Sequence, residues 1–338
     1  MSASQTADFL LESRGRAQDL GAWVVGIAFG REGRSCAFAL GDGTVRLADG
    51  WRSVAAHEGA CLAIAPDVKD GVITGGDDGR LMRIAPDGTA SVVATYGSKW
   101  VDQVAAHESG LRAAAVGKAV HLLDGKGAAL KSLAHPSSVT GIAFDAKGKR
   151  IAASHYNGAS LWFVAAKEGT PRVLEWKGSH TGVLISPDGT HVVTSMQENT
   201  LHGWRLADGQ HMRMAGYPAK TKSFGFTAKG RWLATAGADC VVLWPFFGGG
   251  PMGKAPTELA GGDGVLCTMV ACHPTQEVVA AGFGDGLVLI AEVSSGRIVP
   301  VAAPRGSAVS ALAWDDVGGQ LAFGTEAGFA GVVDLTRR

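Results

Sequence analysis

Short apolar runs separated by polar turns recur along the whole chain. Clear copies begin at Val24 ("VVGIAFGREG"), Val139 ("VTGIAFDAKG") and Val309 ("VSALAWDDVG"). Their apolar residues alternate with small or polar ones, or run on for five to six positions, between Gly, Asp and Asn. An amphipathic helix would instead need apolar residues at i, i+3 and i+4. The pattern therefore predicts short β-strands.

The copies repeat at a nearly constant spacing. The last apolar residue before the first turn of each copy marks its position, and these anchors are Phe29, Ile64, Ala106, Phe144, Ile185, Phe226, Cys272 and Trp314. Successive anchors lie 35 to 46 residues apart. Each interval holds four strands, of which the third reads like "TVRLA" and the fourth, more polar, like "WRSVAAH". A period near 40 residues built from short strands is typical of β-propeller blades.

The two ends of the chain predict how the ring closes. Only three residues follow the third strand "FAGVVDL", whereas residues 8–20 precede the first inner strand and belong to no repeat. An open ring would leave an unpaired sheet edge. We therefore predict an all-β fold, a single closed β-propeller of four-stranded antiparallel blades over residues 1–338. Residues 1–20 close the last blade, and residues 21–338 form eight blades, or seven if the weak copy at 101–124 is irregular.

The repeats resemble the WD-repeat (Trp-Asp repeat) family. The resemblance covers nearly the whole chain and rests on these features: "SPDG" at 186–189, "DGTVRLAD" at 42–49, the strand ends Trp204-Arg205 and Trp244-Pro245 in place of Trp-Asp, and the loop histidines His57 and His180. It implies a propeller with an assembly or scaffolding role.

The chain also departs from the family pattern. In other repeats the third strand ends at Ala48, Ile84, Leu123 or Ala291 instead of Trp. We therefore expect the family's Asp–His–Ser/Thr–Trp hydrogen-bond network to be mostly absent. Its nearest equivalent is predicted at His180, Ser195, Glu198 and Trp204.

Composition narrows the functional classes. The 31 basic and 31 acidic residues cancel, so no overall field attracts nucleic acid or an anionic membrane. No apolar run approaches the roughly 18 residues of a membrane-spanning helix. The N-terminus lacks the order of a secretory signal, and the five cysteines show no C-x-x-C spacing. We expect a monomeric cytoplasmic protein with protein partners, and neither nucleic acid nor membrane.

One segment matches a nucleotide-binding motif. Residues 248–254, "GGGPMGK", fit G-x-x-x-x-G-K. A phosphate loop must run from a parallel strand into a helix. Here "APTELAGGDG" follows instead, Ala255 replaces the Ser or Thr that holds Mg²⁺, and Pro251 removes an N–H donor. We expect a loop between two strands at a blade edge.

Other clusters of reactive residues have structural interpretations. The pairs Asp77-Asp78 and Asp315-Asp316 fall in turns, where Asp bonds its own backbone. Cys267 and Cys272 are predicted on one strand with His273 at its end, which gives no ready zinc site. No Ser-His-Asp spacing is evident. We expect no catalytic residue, no metal and no cofactor.

The function predicted is that of a non-catalytic protein-interaction scaffold. Partner-binding residues are expected on the loops and turns at one side of the ring: Trp23, Trp100, His155, Tyr156, Met196, Gln197, Lys220, Phe283, Arg305 and Glu326. Exposed aromatic, Met and Arg side chains are typical of binding hot spots; alternatively, several could fold inward between blades. Two alternative functions are a propeller enzyme with a metal or small-molecule site at the central channel, and a nucleotide-binding protein acting through residues 248–254.

Overall fold

The computed structural model describes residues 8–31, 35–167 and 169–336. These residues form one short helix, α1 (Leu10–Arg14), and thirty strands. The first half of the strands is β1 (Gly15–Asp19), β2 (Val24–Phe29), β3 (Cys36–Leu40), β4 (Thr44–Leu47), β5 (Arg52–Ala55), β6 (Cys61–Pro66), β7 (Val72–Gly76), β8 (Arg80–Ile84), β9 (Ala90–Thr95), β10 (Gln103–His107), β11 (Leu111–Val116), β12 (Ala119–Asp124), β13 (Ala129–Ala134), β14 (Gly141–Phe144) and β15 (Arg150–Phe163). The second half is β16 (Arg172–Ile185), β17 (His191–Met196), β18 (Leu201–Arg205), β19 (His211–Met214), β20 (Phe224–Phe226), β21 (Trp232–Thr235), β22 (Cys240–Pro245), β23 (Thr257–Gly261), β24 (Cys267–Cys272), β25 (Val278–Phe283), β26 (Val288–Glu292), β27 (Ile298–Ala302), β28 (Val309–Trp314), β29 (Gln320–Thr325) and β30 (Phe329–Asp334).

The strands pair into separate antiparallel sheets that follow one another around a ring. Five sheets contain four consecutive strands each: β2–β5, β6–β9, β10–β13, β20–β23 and β24–β27. A sixth combines β28–β30 with β1, and a six-stranded sheet runs from β14 to β19. In each repeat the strand that carries the anchor residue is the innermost one. The fold is a β-propeller.

The number of sheets corrects one prediction. Seven hydrogen-bonded sheets form from the described residues, so the molecule has seven blades by this count instead of eight. The fourth and fifth repeats, anchored on Phe144 and Ile185, share the six-stranded sheet. They merge because β16 pairs with β15 through its first half and with β17 through its second. The weak third repeat, suspected of irregularity, forms an ordinary four-stranded sheet.

Strand β15 folds back on itself. The N–H of Val164 donates to the carbonyl of Lys149 at 2.9 Å, so the two ends of this 14-residue strand are adjacent. A straight strand of that length would separate its ends by roughly 45 Å. The bend lies at Tyr156 and Asn157, and Asn157 has a φ of 66°. β15 therefore supplies both the second and the third strand of its repeat.

The N-terminal segment completes the last sheet, as predicted. β1 pairs antiparallel with β30, with Gly15 opposite Val333 and Asp19 opposite Phe329. The five residues before it form α1 instead of strand, and Leu11 packs into the core between the sixth and seventh sheets of the ring. The predicted closing segment 1–20 is thus a helix followed by a strand over its described part, and residues 1–7 lie outside the described residues.

Apolar side chains fill the spaces between neighbouring sheets. The first and last sheets share one apolar cluster, to which Val24 and Phe38 of one sheet and Ala322 and Val332 of the other belong. The Oγ of Ser310 donates to the carbonyl of Val24 at 2.7 Å across this junction. Each sheet hides its two faces against two neighbours, as the repeat pattern requires. None of the helices that the structure describes is long and apolar enough to cross a membrane.

Polar networks tie individual repeats together, and their positions correct another prediction. At the site predicted from the family pattern, His180 bonds Thr194 (2.7 Å) instead of Ser195. Trp204 donates to the Glu175 carbonyl, and Glu198 accepts the N–H of Ser179. The predicted chain of side-chain hydrogen bonds is therefore not formed there.

Closer equivalents occur in three other repeats. His57 joins Asp78 and Thr74, both at 2.9 Å. In the sixth repeat, Trp244 donates to the Tyr217 hydroxyl, which contacts Thr235 at 2.6 Å. In the fourth repeat, Trp162 Nε1 donates to His135 Nε2 at 3.1 Å. A Tyr replaces the family's His in the sixth repeat, which explains why the motif was not visible in the sequence.

Candidate protein-binding face

The loops that lead into the inner strands all lie on one side of the ring. Each is bonded to the turn between the second and third strands of a sheet. Gly41 N–H donates to the Trp23 carbonyl (2.9 Å), Val101 N–H to Gly76 (3.0 Å), and Glu326 N–H to Ala308 (2.9 Å). We call this side the loop face. These backbone bonds fix the positions of the side chains that the sequence analysis singled out.

Three of the predicted aromatic residues are exposed on the loop face. Trp23 is 52% exposed, Trp100 58% and Tyr156 59%. Large exposed aromatic side chains are enriched among the hot-spot residues of protein interfaces, where a partner can bury them. These residues are the strongest candidates for partner contacts.

Four polar residues of the predicted set also lie on this face. Gln197, Arg305 and Glu326 are exposed, and Lys220 is half-buried. The Lys220 ammonium donates to the Gln197 side-chain carbonyl, so these two residues form one unit. The Arg305 guanidinium lies 4.1 Å above the ring of Phe329, which orients it by a cation–π contact.

The remaining three predicted residues are buried, which corrects the expectation that they face solvent. His155, Met196 and Phe283 are each no more than 3% exposed. His155 bonds the Ser160 hydroxyl and the Tyr156 carbonyl, both at 2.9 Å, so it stabilises the turn of β15. Phe283 packs in the core between the fifth and sixth sheets of the ring. Sequence position placed them on the turns, but the side chains fold inward between blades.

A groove of about 1200 Å³ opens at the junction of the fourth and fifth repeats. We call it the aromatic groove. It runs from Tyr156 and Asn157 on the loop face to Val173 and Arg213 on the outer strands, with Trp176 between them. Its walls separate because β16 bulges after Glu175, where the register with β15 shifts. Gly178, at φ 127°, permits this bulge.

Trp176 is held rigidly from below. Its indole stacks on His202 with ring centroids 3.9 Å apart and planes at 13°. His202 Nε2 lies 2.9 Å from His211 Nδ1. Burial lowers the pKa of His202 to about 3, and the nearby His211 adds to this effect, so the imidazole under Trp176 is neutral at physiological pH. The indole remains 37% exposed on its groove side.

The sequence analysis did not identify the aromatic groove. Trp176 ends the predicted fourth strand "PRVLEW", where a Trp looks like an ordinary buried strand residue. The adjacent Lys177-Gly178 was the available signal, because a Gly after a strand-ending aromatic residue suggests a bulge. Arg213 is 37 residues away along the chain, and only the fold brings it to the groove.

Charge is unevenly divided over the loop face. The loops between residues 96 and 222 carry Lys99, Lys118, Lys220 and Lys222 against Asp102 and Glu198, and the bulge of β16 adds Lys177 and Glu175. The loops and adjoining strand ends on the other half carry Arg80 and Arg305 against a larger acidic set: Asp19, Asp42, Glu58, Asp77, Asp78, Asp239, Asp263, Asp285 and Glu326. A chain with no net charge thus has a basic half and an acidic half on one face. Trp100, Tyr156 and the aromatic groove belong to the basic half.

The central channel has a different character. A cavity of about 380 Å³ lies at its end opposite the loop face, lined mostly by apolar residues such as Ile27, Phe29 and Trp314. Arg31 borders it but donates to the carbonyls of Asp67 and Ala106. Of the described residues that line this cavity, Asp315 and Asp316 are acidic and none is a histidine. Among the described residues, no group of three or more His, Cys, Asp or Glu side chains could hold a metal ion.

The cysteines of the Cys267, Cys272 and His273 cluster are not ionised to the thiolates that nucleophilic catalysis or zinc binding would require. Burial raises the pKa of both Cys267 and Cys272 to about 12, which keeps them as thiols. His273 Nδ1 accepts the N–H groups of Thr275 and Gln276, and its Nε2 lies 3.2 Å from the Gly318 carbonyl. Every polar atom of this imidazole is already engaged. The cluster is structural.

The glycine-rich segment forms a loop between β22 and β23, as predicted. The Lys254 ammonium donates to the carbonyls of Phe247, Gly248 (3.4 Å) and Gly250 (3.0 Å) and lies 4.9 Å from the Phe247 ring. A phosphate loop presents N–H groups to an anion, whereas this loop presents carbonyls to its own lysine. The loop therefore has the groups that bind a cation, and not the N–H donors that bind a phosphate.

Comparison with known proteins gives the fold but no family. No protein-family model matches the chain. Telomerase protein component 1 of Mus musculus is 28% identical over 188 residues, 53% of this chain and 7% of that protein. Autophagy-related protein 16 of Arabidopsis thaliana is 23% identical over 294 residues, 81% of this chain and 55% of that protein. The chain spans about half of the second relative and a small part of the first.

A solved structure shows the same architecture. The crystal structure of the computationally designed Ika8 protein superposes with a TM-score of 0.74 and 18% sequence identity. The match covers 94% of this chain and 98% of that one. At this identity the likeness concerns the fold alone.

Proposed function

We propose that this chain is a non-catalytic scaffold of the WD-repeat type, acting in the cytoplasm, that binds partner proteins through its loop face. The whole chain acts as one unit, with no cofactor, and the contacts are made by Trp23, Trp100, Tyr156 and the polar residues beside them. A propeller suits this role because its sheets form a rigid ring, and only the loops differ from repeat to repeat.

The exposure of three large aromatic side chains on one face is the observation that carries the proposal. Trp23, Trp100 and Tyr156 are each more than half exposed, on loops whose backbones are hydrogen-bonded to neighbouring turns. Partners that bury such side chains gain much of their binding energy from them, because little side-chain entropy is lost. The likeness to an autophagy-related protein and a telomerase component is compatible with a role in assemblies.

Affinity capture with quantitative mass spectrometry tests the proposal. The wild-type chain is compared with a Trp100→Ala/Tyr156→Ala variant, both at equal concentration in native cytosol. We expect specific partners to fall at least about tenfold in the variant, since losing two hot-spot side chains costs about 2 kcal/mol or more.

A matched control removes exposed apolar residues from the opposite face. Phe163, at the end of β15, is 63% exposed, and Val317, in the turn between β28 and β29, is 58% exposed; both lie away from the loop face. The Phe163→Ala/Val317→Ala variant should retain all partners. Identical captured sets for the wild-type chain and the Trp100/Tyr156 variant would contradict the proposal, provided that both proteins melt at the same temperature.

A further inference from the structure

We propose that the aromatic groove binds an acidic, extended segment of a partner protein. One apolar side chain of the segment rests on Trp176, and its carboxylates pair with Lys177 and Arg213. This inference rests on the proposed function and specifies the chemistry of one partner site within it.

The size of the groove fits several residues of a peptide. Its volume of about 1200 Å³ exceeds that of sites for most small ligands. One end is the loop face at Tyr156, and the other is the outer wall at Val173, which is 53% exposed. A chain segment can therefore enter from the loop face and leave along the side of the ring.

Trp176 forms the floor of the groove and offers a rigid apolar surface to a side chain of the partner segment. The Trp176 indole is stabilised in its orientation by stacking on the buried His202. Its backbone carbonyl is also fixed, 2.8 Å from His180 Nε2. Tyr156 and Val173 add apolar surface on either side. A rigid aromatic platform loses little entropy when an aliphatic or aromatic side chain covers it.

The charges select an acidic segment. Lys177 and Arg213 are exposed and form no ion pair or side-chain hydrogen bond with any residue that the structure describes. Lys99, Lys118 and Lys222 lie on other loops of the same half of the loop face. Unpaired cations at the rim of an apolar site favour complementary anions and speed their association.

Two carboxylates in the groove exclude a uniformly anionic chain. Glu175 and Glu198 also line it, and Glu198 is held by the N–H of Ser179 at 3.1 Å. A nucleic acid backbone would place phosphates beside both of them. A peptide can keep neutral residues there and place acidic ones beside Lys177 and Arg213. The arrangement therefore favours a peptide with grouped charges.

We expect side chains, and not strand pairing, to supply the recognition. Two carbonyls of the outer strand at the groove are already occupied, since Glu175 accepts Trp204 Nε1 at 3.3 Å and the Trp176 carbonyl lies 2.8 Å from His180 Nε2. An added β-strand would find these acceptors already used. The specificity should therefore lie in the apolar anchor and the acidic positions.

Selection from a displayed library of random ten-residue peptides tests the proposal. The enriched peptides should carry net negative charge and one or two large apolar residues. The best peptide, measured by fluorescence anisotropy, should bind at least tenfold more weakly to a Lys177→Glu/Arg213→Glu variant and to the wild-type chain in 0.5 M salt. The Lys147→Glu/Lys229→Glu variant, altered on the opposite face, should bind it as the wild-type chain does.

Four outcomes would overturn the proposal. In the selection, these are enriched peptides that carry no negative charge, or enriched peptides whose binding does not depend on Lys177 and Arg213. In competition, a ten-nucleotide oligothymidylate that binds more tightly than the best peptide is the third. The fourth is self-association of the chain in sedimentation that Lys177→Glu/Arg213→Glu abolishes. The last two would name a nucleic acid or a second copy of the chain as the occupant. The proposed function can survive each of them, because capture lost in Trp100→Ala but kept in the charge-reversed variant would locate partners elsewhere on the loop face.

Discussion

The Nδ1 atom of His57 lies 2.9 Å from the Oδ1 atom of Asp78. The imidazole also contacts the Thr74 hydroxyl through Nε2, and the Asp78 carboxylate accepts the backbone N–H groups of Glu58 and Arg80. One buried ring thus links the loop before β6 to strand β7 and to the turn between β7 and β8. The interaction stabilises the second repeat although its third strand lacks the family's Trp.

This arrangement predicts a pH-dependent contribution to stability. Burial opposes ionisation of Asp78, but the hydrogen bonds from His57, Glu58 and Arg80 outweigh it and hold the pKa of Asp78 below its ordinary 3.8. The native state therefore gains stability from the carboxylate above pH 4, and loses it as the pH falls through the lowered pKa. Asp78→Asn should cost about 1–3 kcal/mol near neutral pH, and the difference from the wild-type chain should vanish in strong acid.

Urea unfolding between pH 2.5 and 7 measures this difference. Asp263→Asn, which alters an exposed carboxylate on the same face, serves as the control and should follow the wild-type curve. A pH-independent difference between Asp78→Asn and the wild-type chain would show that the carboxylate's charge is not what matters.

A second prediction concerns the buried ion pair between the second and third sheets. Asp67 is 1% exposed and Arg112 4% exposed; their side chains are joined by hydrogen bonds of 2.7 and 2.8 Å. Asp67→Asn should destabilise the protein by about 3–5 kcal/mol, because it leaves the Arg112 charge buried without its counter-ion. Chemical denaturation provides the measurement.

Arg83 supplies the matched control for that pair. It contacts the same carboxylate at 2.9 Å, but its side chain is 29% exposed. Arg83→Gln should therefore cost clearly less than Asp67→Asn, since water can replace the lost contact. Equal losses for the two variants would argue against burial as the cause.

The junction between the first and last sheets gives a third prediction. A Cβ atom on Gly324 would lie 2.4 Å from Val24 Cγ1 and 2.6 Å from its Cβ. Val24 is fully buried and cannot yield. Gly324→Ala should therefore destabilise the protein by about 1–3 kcal/mol through overpacking, measured as a lower thermal midpoint.

Gly284→Ala is the control for the junction. A Cβ there would meet its nearest atom, the Leu266 carbonyl oxygen, at an ordinary 3.5 Å. This variant should melt within about one degree of the wild-type chain, as most changes without a steric or polar conflict do. A similar loss in both variants would mean that glycine itself, and not the contact with Val24, matters.

The N-terminal strand leads to a fourth prediction. β1 covers the outer edge of β30, and Leu11 and Leu20 are buried beneath it. Deleting residues 1–20 should lower the thermal midpoint by many degrees and promote aggregation, because an unpaired edge and apolar surface become exposed. Replacing residues 8–19 by a Gly/Ser linker of equal length should have a similar effect. An unchanged melting curve for either variant would contradict this role of β1.

The sequence by itself determined the repeat, the strands and the closure by the N-terminal segment. Every anchor from Phe29 to Trp314 lies in an inner strand. The repeat pattern was sufficient to predict the stacked sheets, because apolar residues on both faces of each sheet can be buried only if neighbouring sheets cover them. Local signals also resolved the Gly248–Lys254 segment. Strand and turn residues flank it, and these neighbours are enough to exclude a helix after Lys254.

Tertiary structure alone decided which side chains reach the surface and which groups meet. His155, Met196 and Phe283 occupy turn positions like that of Tyr156, yet they are buried, because the direction of a side chain at a turn depends on the adjacent sheet. The merging of two repeats into one sheet depends on a bulge after Glu175 that no residue type requires. Arg213 and Lys177 border one groove although they are distant in sequence. The spacing of apolar residues in the sequence determines which sheet faces are buried, whereas the shape of the surface between neighbouring repeats depends on how those repeats pack together.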